Sequence, residues 1–218
     1  MLKTYHTKNF RNILLIIIII FILLLSFLFV KYHDNKKNSE LSKCNINSSL
    51  ESFTSFNQDF SLLHEDGFLV SREQLIDYPS LIYFGYTFCP DICPFDLMRN
   101  SQVVELLGTE SIKIKPIFIT LDPRRDTLLT LKEYTDFHHR DMIGLTGTVE
   151  DLKKIKDIFM IYSQFPSDLS GDYIINHSTF TYFVLPEIGL VTYFTRNNNV
   201  KEISDTIKCI LNEYKIHK

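Results

Sequence analysis

Short apolar runs and longer periodic stretches alternate along the chain from Leu81 onward. Leu81 to Phe84 reads as a buried strand, Phe95 to Leu107 as a helix, and Ile112 to Thr120 as a strand. The pattern then predicts a helix over Thr127 to Phe137, a short strand over Ile143 to Leu145, and a helix over Val149 to Ile161. That last helix is announced by Thr148-x-x-Asp151, whose side chains suit a capping box. Two neighbouring apolar runs, Thr179 to Leu185 and Leu190 to Phe194, are joined by Pro186-Glu-Ile-Gly189 and predict an antiparallel hairpin. Val200 to Tyr214 closes the chain as a helix. Upstream, strand-like pieces over Phe53 to Phe60 and Phe68 to Val70 flank a turn at His64-Glu-Asp-Gly67, and Ser71-x-x-Gln74 suits one or two capped helical turns. Alternating strands and helices imply a parallel sheet, which the terminal hairpin makes mixed: an α/β fold with helices flanking the sheet.

A different pattern occupies the N-terminus. Ile13 to Val30 are 18 positions without a charge, interrupted only by Ser26, which is the length needed to cross a hydrocarbon core. A cleaved signal peptide has a shorter apolar region and a small-residue cleavage site, so an uncleaved anchor is expected. Lys43 and the distance from the apolar run argue against reading Leu41-Ser-Lys-Cys44 as a lipoprotein box. The organisation is therefore a short basic N-terminus (1–12), a transmembrane anchor (13–30), a polar Ser/Asn/Lys-rich tether (31–51) and one domain over 52–218. Lys and Arg flank the span on both sides, so the positive-inside rule leaves orientation open. The short basic leader favours N-in, with the domain facing the periplasm from a bacterial inner membrane; a mitochondrial inner membrane is the alternative. All 26 acidic side chains lie beyond residue 30 against 20 of the 23 basic ones, which offers no footprint for nucleic acid.

Four cysteines are present: Cys44 in the tether, Cys209 in the last helix, and Cys89 and Cys93 directly after the first strand of the alternating region. Cys44 and Cys209 have no partner at a telling spacing and read as structural or inert. Cys89 and Cys93 stand four apart at a turn placed at Gly85 and a helix start, so both fall on one helix face. The free N–H groups there favour thiolate. A dithiol at the strand-to-helix turn of such a sheet is the layout of the thioredoxin fold. The spacing is one residue longer than the redox Cys-x-x-Cys, leaving room for a metal between the sulfurs. A structural disulfide is the plainer reading. Zinc tolerates the spacing, but a closed zinc site takes four ligands. Two thiolates with one imidazole favour Cu(I).

Seven histidines compete for the third position. His6 and His33 flank the span, His64 sits in a turn, His138 and His139 end a helix, and His217 lies in the tail. His177 opens a strand after the polar loop Ser167 to Asp172, and strand termini of such sheets gather at the edge where the cysteine turn lies.

The stretch Phe84-Gly-Tyr-Thr-Phe-Cys-Pro-Asp-Ile-Cys-Pro94 resembles the signature of the Sco/SenC copper proteins. The later blocks Phe118-Ile-Thr-Leu-Asp-Pro-Arg-Arg-Asp126, Gly144-Leu-Thr-Gly-Thr148 and Asp172-Tyr-Ile-Ile-Asn-His177 follow the same order. The resemblance covers roughly Asp59 to Tyr214 and the single N-terminal anchor. It implies a thioredoxin-like domain holding one copper, as Cu(I) and also as Cu(II), through Cys89, Cys93 and His177. It further implies maturation of the dinuclear copper centre of cytochrome c oxidase subunit II, by copper delivery, thiol reduction or both, with an upstream copper donor or thiol reductant as a second partner. The family often has Asp before the ligand histidine; this chain has Asn176, which bears on the surroundings of the ligand more than on its identity.

Other residues are expected in supporting places. Pro90 and Pro94 fix the loop and open the helix. Asp91 reads equally as a residue tuning the thiols and as a helix N-terminal acid. Asp122 and Asp126 read as caps of a turn and of the next helix, and Arg124 and Arg125 as surface or partner contacts. The runner-up to a copper-binding assembly factor is a thiol–disulfide oxidoreductase that uses Cys89 and Cys93 as its redox-active pair. Against it, Ile175-Asn-His-Ser-Thr179 lacks the proline that redox enzymes of this fold place against their dithiol. A peroxidase is weaker still, since paired thiols suit metal or exchange chemistry.

Overall fold

The computed structural model describes residues 18–31, Cys44 and residues 58–216. The chain divides into two units, Met1–Ile46 with Asn212–Lys218, and Asn47–Leu211. In the first, residues 18–31 form helix α1, exposed along its whole described length. Among the described residues no helix is long and apolar enough to cross a membrane; positions 13–17 of the expected span lie outside them. The tether also lies outside them apart from Lys31 and Cys44, as do positions 53–57 of the first expected strand.

The second unit holds a seven-stranded mixed sheet. Its strands are β1 (Ser61–His64), β2 (Leu69–Ser71), β3 (Ser80–Gly85), β4 (Lys115–Thr120), β5 (Ile143–Thr146), β8 (Thr181–Leu185) and β9 (Gly189–Phe194). The order is β2-β1-β5-β4-β3-β8-β9, with β5, β4 and β3 parallel and the outer strands antiparallel to their neighbours. A separate two-stranded sheet pairs β6 (Ser163–Gln164) with β7 (Asn176–His177). The helices are α2 (Arg72–Leu75), α3 (Ile92–Thr109), α4 (Leu128–His138), α5 (Val149–Phe159) and α6 (Val200–Ile216).

The parallel strands bury both faces, as strands covered by crossover helices must. Ile82 and Phe84 of β3 and Ile117 and Ile119 of β4 point into one core with Leu152, Ile155, Ile158 and Phe159 of α5. Tyr83 and Phe118, the alternate positions, point into the other with Cys93 and Leu97 of α3 and Leu131 of α4. Burying a side chain of this size contributes about 1.5–3 kcal/mol.

Both expected capping boxes form, with Ser71 and Gln74 at α2 and Thr148 and Asp151 at α5 exchanging side-chain and backbone bonds. Where boundaries differ from expectation, the backbone shows why. The strand expected from Ile112 begins at Lys115, because the chain leaves α3 through a left-handed Ser111 and the Ile112 amide bonds back to the Leu107 carbonyl. The helix expected to reach Ile161 ends at Phe159, capped by a left-handed Met160. Gly85, expected in a turn, is the last residue of β3. Pro94 stands third in α3 rather than first, a place where its missing N–H still falls among amides without helical partners.

Candidate metal centre

The parallel pairing carries β3 to Gly85 beside Thr120, and the chain then turns through Tyr86 to Cys89 before α3 begins. Gly85 is required there by space. A Cβ on it would stand 2.9 Å from Cys93 Sγ, 3.0 Å from Phe118 Cε2 and 3.1 Å from Tyr83 Cε1. With no side chain in the way, the first turn of α3 lies down on the end of β3 and the Cys93 sulfur is fully buried.

His177 arrives from the other side of the chain. It does not open β8, as expected, but ends β7, paired with Ser163 of β6. The result is one group of three ligand atoms, from Cys89, Cys93 and His177, all within 4.8 Å of one another. Cys93 Sγ lies 3.5 Å from His177 Nε2. His177 Nδ1 lies 2.7 Å from the Ser178 carbonyl, which can only accept, so Nδ1 carries a proton and Nε2 is the nitrogen that faces the sulfurs. The rings of Tyr86 and Tyr83 stand edge-on to the imidazole, with centroids 5.9 and 6.4 Å away.

Both cysteines are free thiols and both are buried. They share a proton unevenly. The Cys89 thiol is pulled down, chiefly by a hydrogen bond from Cys93, against its own burial, with help from His177 and from the Cys93 and Asp91 amides. Cys93 is pushed up, first by donating to Cys89, then by burial and by the neighbouring negative charge. The pair is thus one thiolate held by one thiol at the start of α3. Burial raises the Tyr86 hydroxyl to about 12, and this phenol accepts the Ile175 amide at 3.2 Å. Burial raises Tyr83 as well; its hydroxyl donates to Asp96 at 3.1 Å, and Asp96 is itself raised by burial.

Several supporting residues take places other than the expected ones. Asp91 is exposed at the N-cap of α3 without a side-chain cap bond, and only its amide bears on the thiols. Asn176 is exposed; the Ser178 carbonyl, not the preceding side chain, orients the ligand ring. Thr127 rather than Asp126 caps α4. Asp126 is buried and holds the cysteine loop, accepting from Thr87 Oγ1 at 2.6 Å and from the Thr87 amide at 3.1 Å. Asp122 is buried as well, paired with Arg125 at 2.6 Å and accepting from the Tyr173 hydroxyl at 2.9 Å. Arg124 is exposed as expected; Arg125 is not. Cys44 and Cys209 are each disulfide-bonded, which gives them a structural role. His64, His138 and His139 lie outside the three-residue group, and His6, His33 and His217 lie outside the described residues. Tyr83, Tyr86 and Asp96 were not legible as site residues, since Tyr and Asp at those spacings carry no motif. A cavity of 790 Å³ among His64, Phe68, Val104, Lys113 and His139 contains none of the candidate ligands.

The donor set fits a soft monovalent ion. Two sulfurs and one imidazole nitrogen suit Cu(I), whereas a closed zinc site takes four ligands and the group among the described residues has three.

The chain matches the SCO1/SenC family model over residues 49–212. It is 39% identical over 155 residues to a SCO2-like protein of Rickettsia felis, covering 69% of this chain and 74% of that one. It is 36% identical over 152 residues to Protein SenC of Rhodobacter capsulatus, covering 70% and 69%. Among solved structures, Arabidopsis thaliana ScoI with copper bound superposes with a TM-score of 0.67 at 31% identity, over 72% of this chain and 99% of that one. BsSco, described as a member of the Sco family of cytochrome c oxidase assembly proteins, shares the fold at 23% identity, with a TM-score of 0.54 over 70% and 91%.

Proposed function

The chain belongs to the SCO1/SenC family, and from that premise we propose that it is a copper-binding assembly factor for cytochrome c oxidase. Cys89, Cys93 and His177 hold one copper ion, and the recipient is the dinuclear centre of subunit II. The observation that carries the reading is the convergence of those three ligand atoms within 4.8 Å, although His177 stands 84 positions beyond Cys93 in sequence.

The chain's own residues supply what transfer of a soft ion needs. The α3 amides and the Cys93 thiol keep Cys89 as the available thiolate, so an arriving ion displaces one shared proton rather than two. The Nδ1–Ser178 bond fixes the imidazole with Nε2 inward. Three ligands instead of four leave copper open to attack by a recipient's thiols. The apolar segment 13–30 anchors the domain at a bacterial inner membrane, facing the periplasm, within reach of the oxidase and of a copper donor or thiol reductant. Relatives occur in bacteria and mitochondria, so the mitochondrial inner membrane is the alternative setting.

The test is copper content of the full chain in detergent micelles, reduced and without air. One copper per chain is expected; either cysteine changed to Ser abolishes tight binding, and His177→Ala weakens it strongly. A double-cysteine variant that retains one copper per chain overturns the reading. The thiol–thiolate pair also favours a second reading, reduction of a disulfide on the oxidase subunit to two thiols while Cys89 and Cys93 are oxidised to a disulfide. In a deletion strain, oxidase activity restored by added copper supports delivery, and activity restored only by a thiol reductant supports reduction.

A further inference from the structure

The segment that carries His177 has little to hold it. Between β6 and β7 the chain runs from Phe165 to Ile175 without helix or strand, and β7 itself is two residues long. Yet the imidazole must meet two sulfurs that stand on a different loop. One side chain lies between the two. The Arg125 guanidinium stacks 3.5 Å from the ring centre of Tyr173, on the histidine segment. Its other neighbours, Phe88 at 4.9 Å and Tyr86 at 5.6 Å, belong to the cysteine loop.

The guanidinium is also held in place. Arg125 Nε donates to Asp122 Oδ2 at 2.6 Å, and the other oxygen of that carboxylate accepts from the Tyr173 hydroxyl at 2.9 Å. Arg125 and Tyr173 are thus joined twice, face to face and through Asp122. The Ile175 amide then bonds to the Tyr86 hydroxyl at 3.2 Å, closing the histidine segment onto the cysteine loop two residues before His177. Directly after Arg125, Asp126 ties down Thr87, two residues before Cys89.

Resting on the copper reading above, we infer that Arg125 is a positioning residue of the metal centre: it sets the place of His177 against Cys89 and Cys93 by clamping Tyr173 to the cysteine loop. It touches no ligand atom and acts through the two loops. Lysine cannot replace it, because a point charge neither stacks flat on an aromatic face nor bonds sideways to Asp122 in the same pose.

The experiment is a double-mutant cycle on the full chain in detergent, reading Cu(I) affinity by competition with a chromophoric chelator. Arg125→Leu should weaken binding about 10–100-fold, the range for residues that orient a ligand. In a His177→Ala background the same change should cost less than about threefold, since no ligand is left to position. A merely structural role predicts equal losses in both backgrounds. Arg125→Leu leaves Asp122 buried without its cation, so circular dichroism is recorded alongside. If that variant is unfolded, Arg125→Lys takes its place, with the loss again at least about threefold larger when His177 is present. Losses within about threefold of each other in the two backgrounds, or no loss in either, overturn the inference. If His177→Ala alone changes nothing, the ligand assignment fails and the inference falls with it. If His177→Ala acts but the cycle shows no coupling, positioning alone fails.

Discussion

Gly85→Ala is a small change that strikes the metal centre through packing alone. The new methyl would lie 2.9 Å from Cys93 Sγ, 3.0 Å from Phe118 Cε2 and 3.1 Å from Tyr83 Cε1, where ordinary contacts begin near 3.4 Å. All three neighbours are fully buried, so none can swing into solvent, and each must retreat by several tenths of an ångström. Overpacking of this kind costs about 1–3 kcal/mol, and Ala in place of Gly recovers about 0.4–1 kcal/mol from the unfolded chain; three clashes with fully buried neighbours place Gly85 at the costly end, a net loss of about 2 kcal/mol. The same displacement pushes Cys93 Sγ away from the end of β3 and disturbs its 3.5 Å approach to His177 Nε2. Two assays are needed: denaturant unfolding of the metal-free protein and Cu(I) competition on the folded variant. The expected result is a lower unfolding midpoint together with weaker copper binding. Unchanged stability and unchanged affinity would refute the argument that Gly85 is present for space. Weaker stability with intact affinity would refute the part that makes Cys93 the atom displaced.

Oxidising Cys89 and Cys93 to a disulfide should abolish copper binding reversibly, since a sulfur in an S–S bond no longer offers a thiolate; copper retained by the oxidised protein, with thiols counted by a chromogenic reagent, would contradict this. Changing Cys44 and Cys209 together to Ser removes disulfide cross-linking and should lower stability by about 2–4 kcal/mol while leaving one copper per chain, measured by denaturation and metal analysis. His138 is held below its ordinary value by burial, against the bond to the Tyr134 carbonyl, so its neutral form is the folded one. Its contribution is present above pH about 6.5, the unfolded value, and is lost as pH falls toward the depressed folded value. His138→Gln should therefore flatten the drop in melting temperature between pH 7.5 and 5.5, and an unaltered slope would count against it.

The fold was legible where periodicity and caps agree. Strands such as β3 and β4 bury both faces, so they appear as uninterrupted apolar runs, and the capping boxes at Ser71 and Thr148 mark helix starts by side-chain chemistry alone. Boundaries set by backbone conformation were not legible. Ser111 and Met160 turn left-handed, a choice that side chains of those types do not advertise; the first delays β4 to Lys115, and the second ends α5 where the apolar pattern runs on. Likewise β6 and β7 are too short for any alternation to show, so His177 read as the opening of the following strand rather than the end of β7.

At the site the division follows another line. Cys89 and Cys93 announce themselves because thiols four apart at a helix start are rare and chemically pointed, and His177 follows from the fold because strand ends meet there. The residues that hold these three in place carry ordinary names at unremarkable spacings. In sequence Asp122 reads as a cap and Arg125 as a surface or partner contact, three apart before a helix. Only the tertiary path of the chain brings Tyr173 over the guanidinium and turns an ordinary i, i+3 pair into the junction of two loops. Gly85 and Asp126 are similar cases, since a missing Cβ and a buried carboxylate acquire meaning from what stands opposite them. Ligands are thus readable from their own chemistry, whereas what orients them depends on contacts between segments far apart in sequence. That is why the tests of the positioning network are cycles between residues rather than single substitutions.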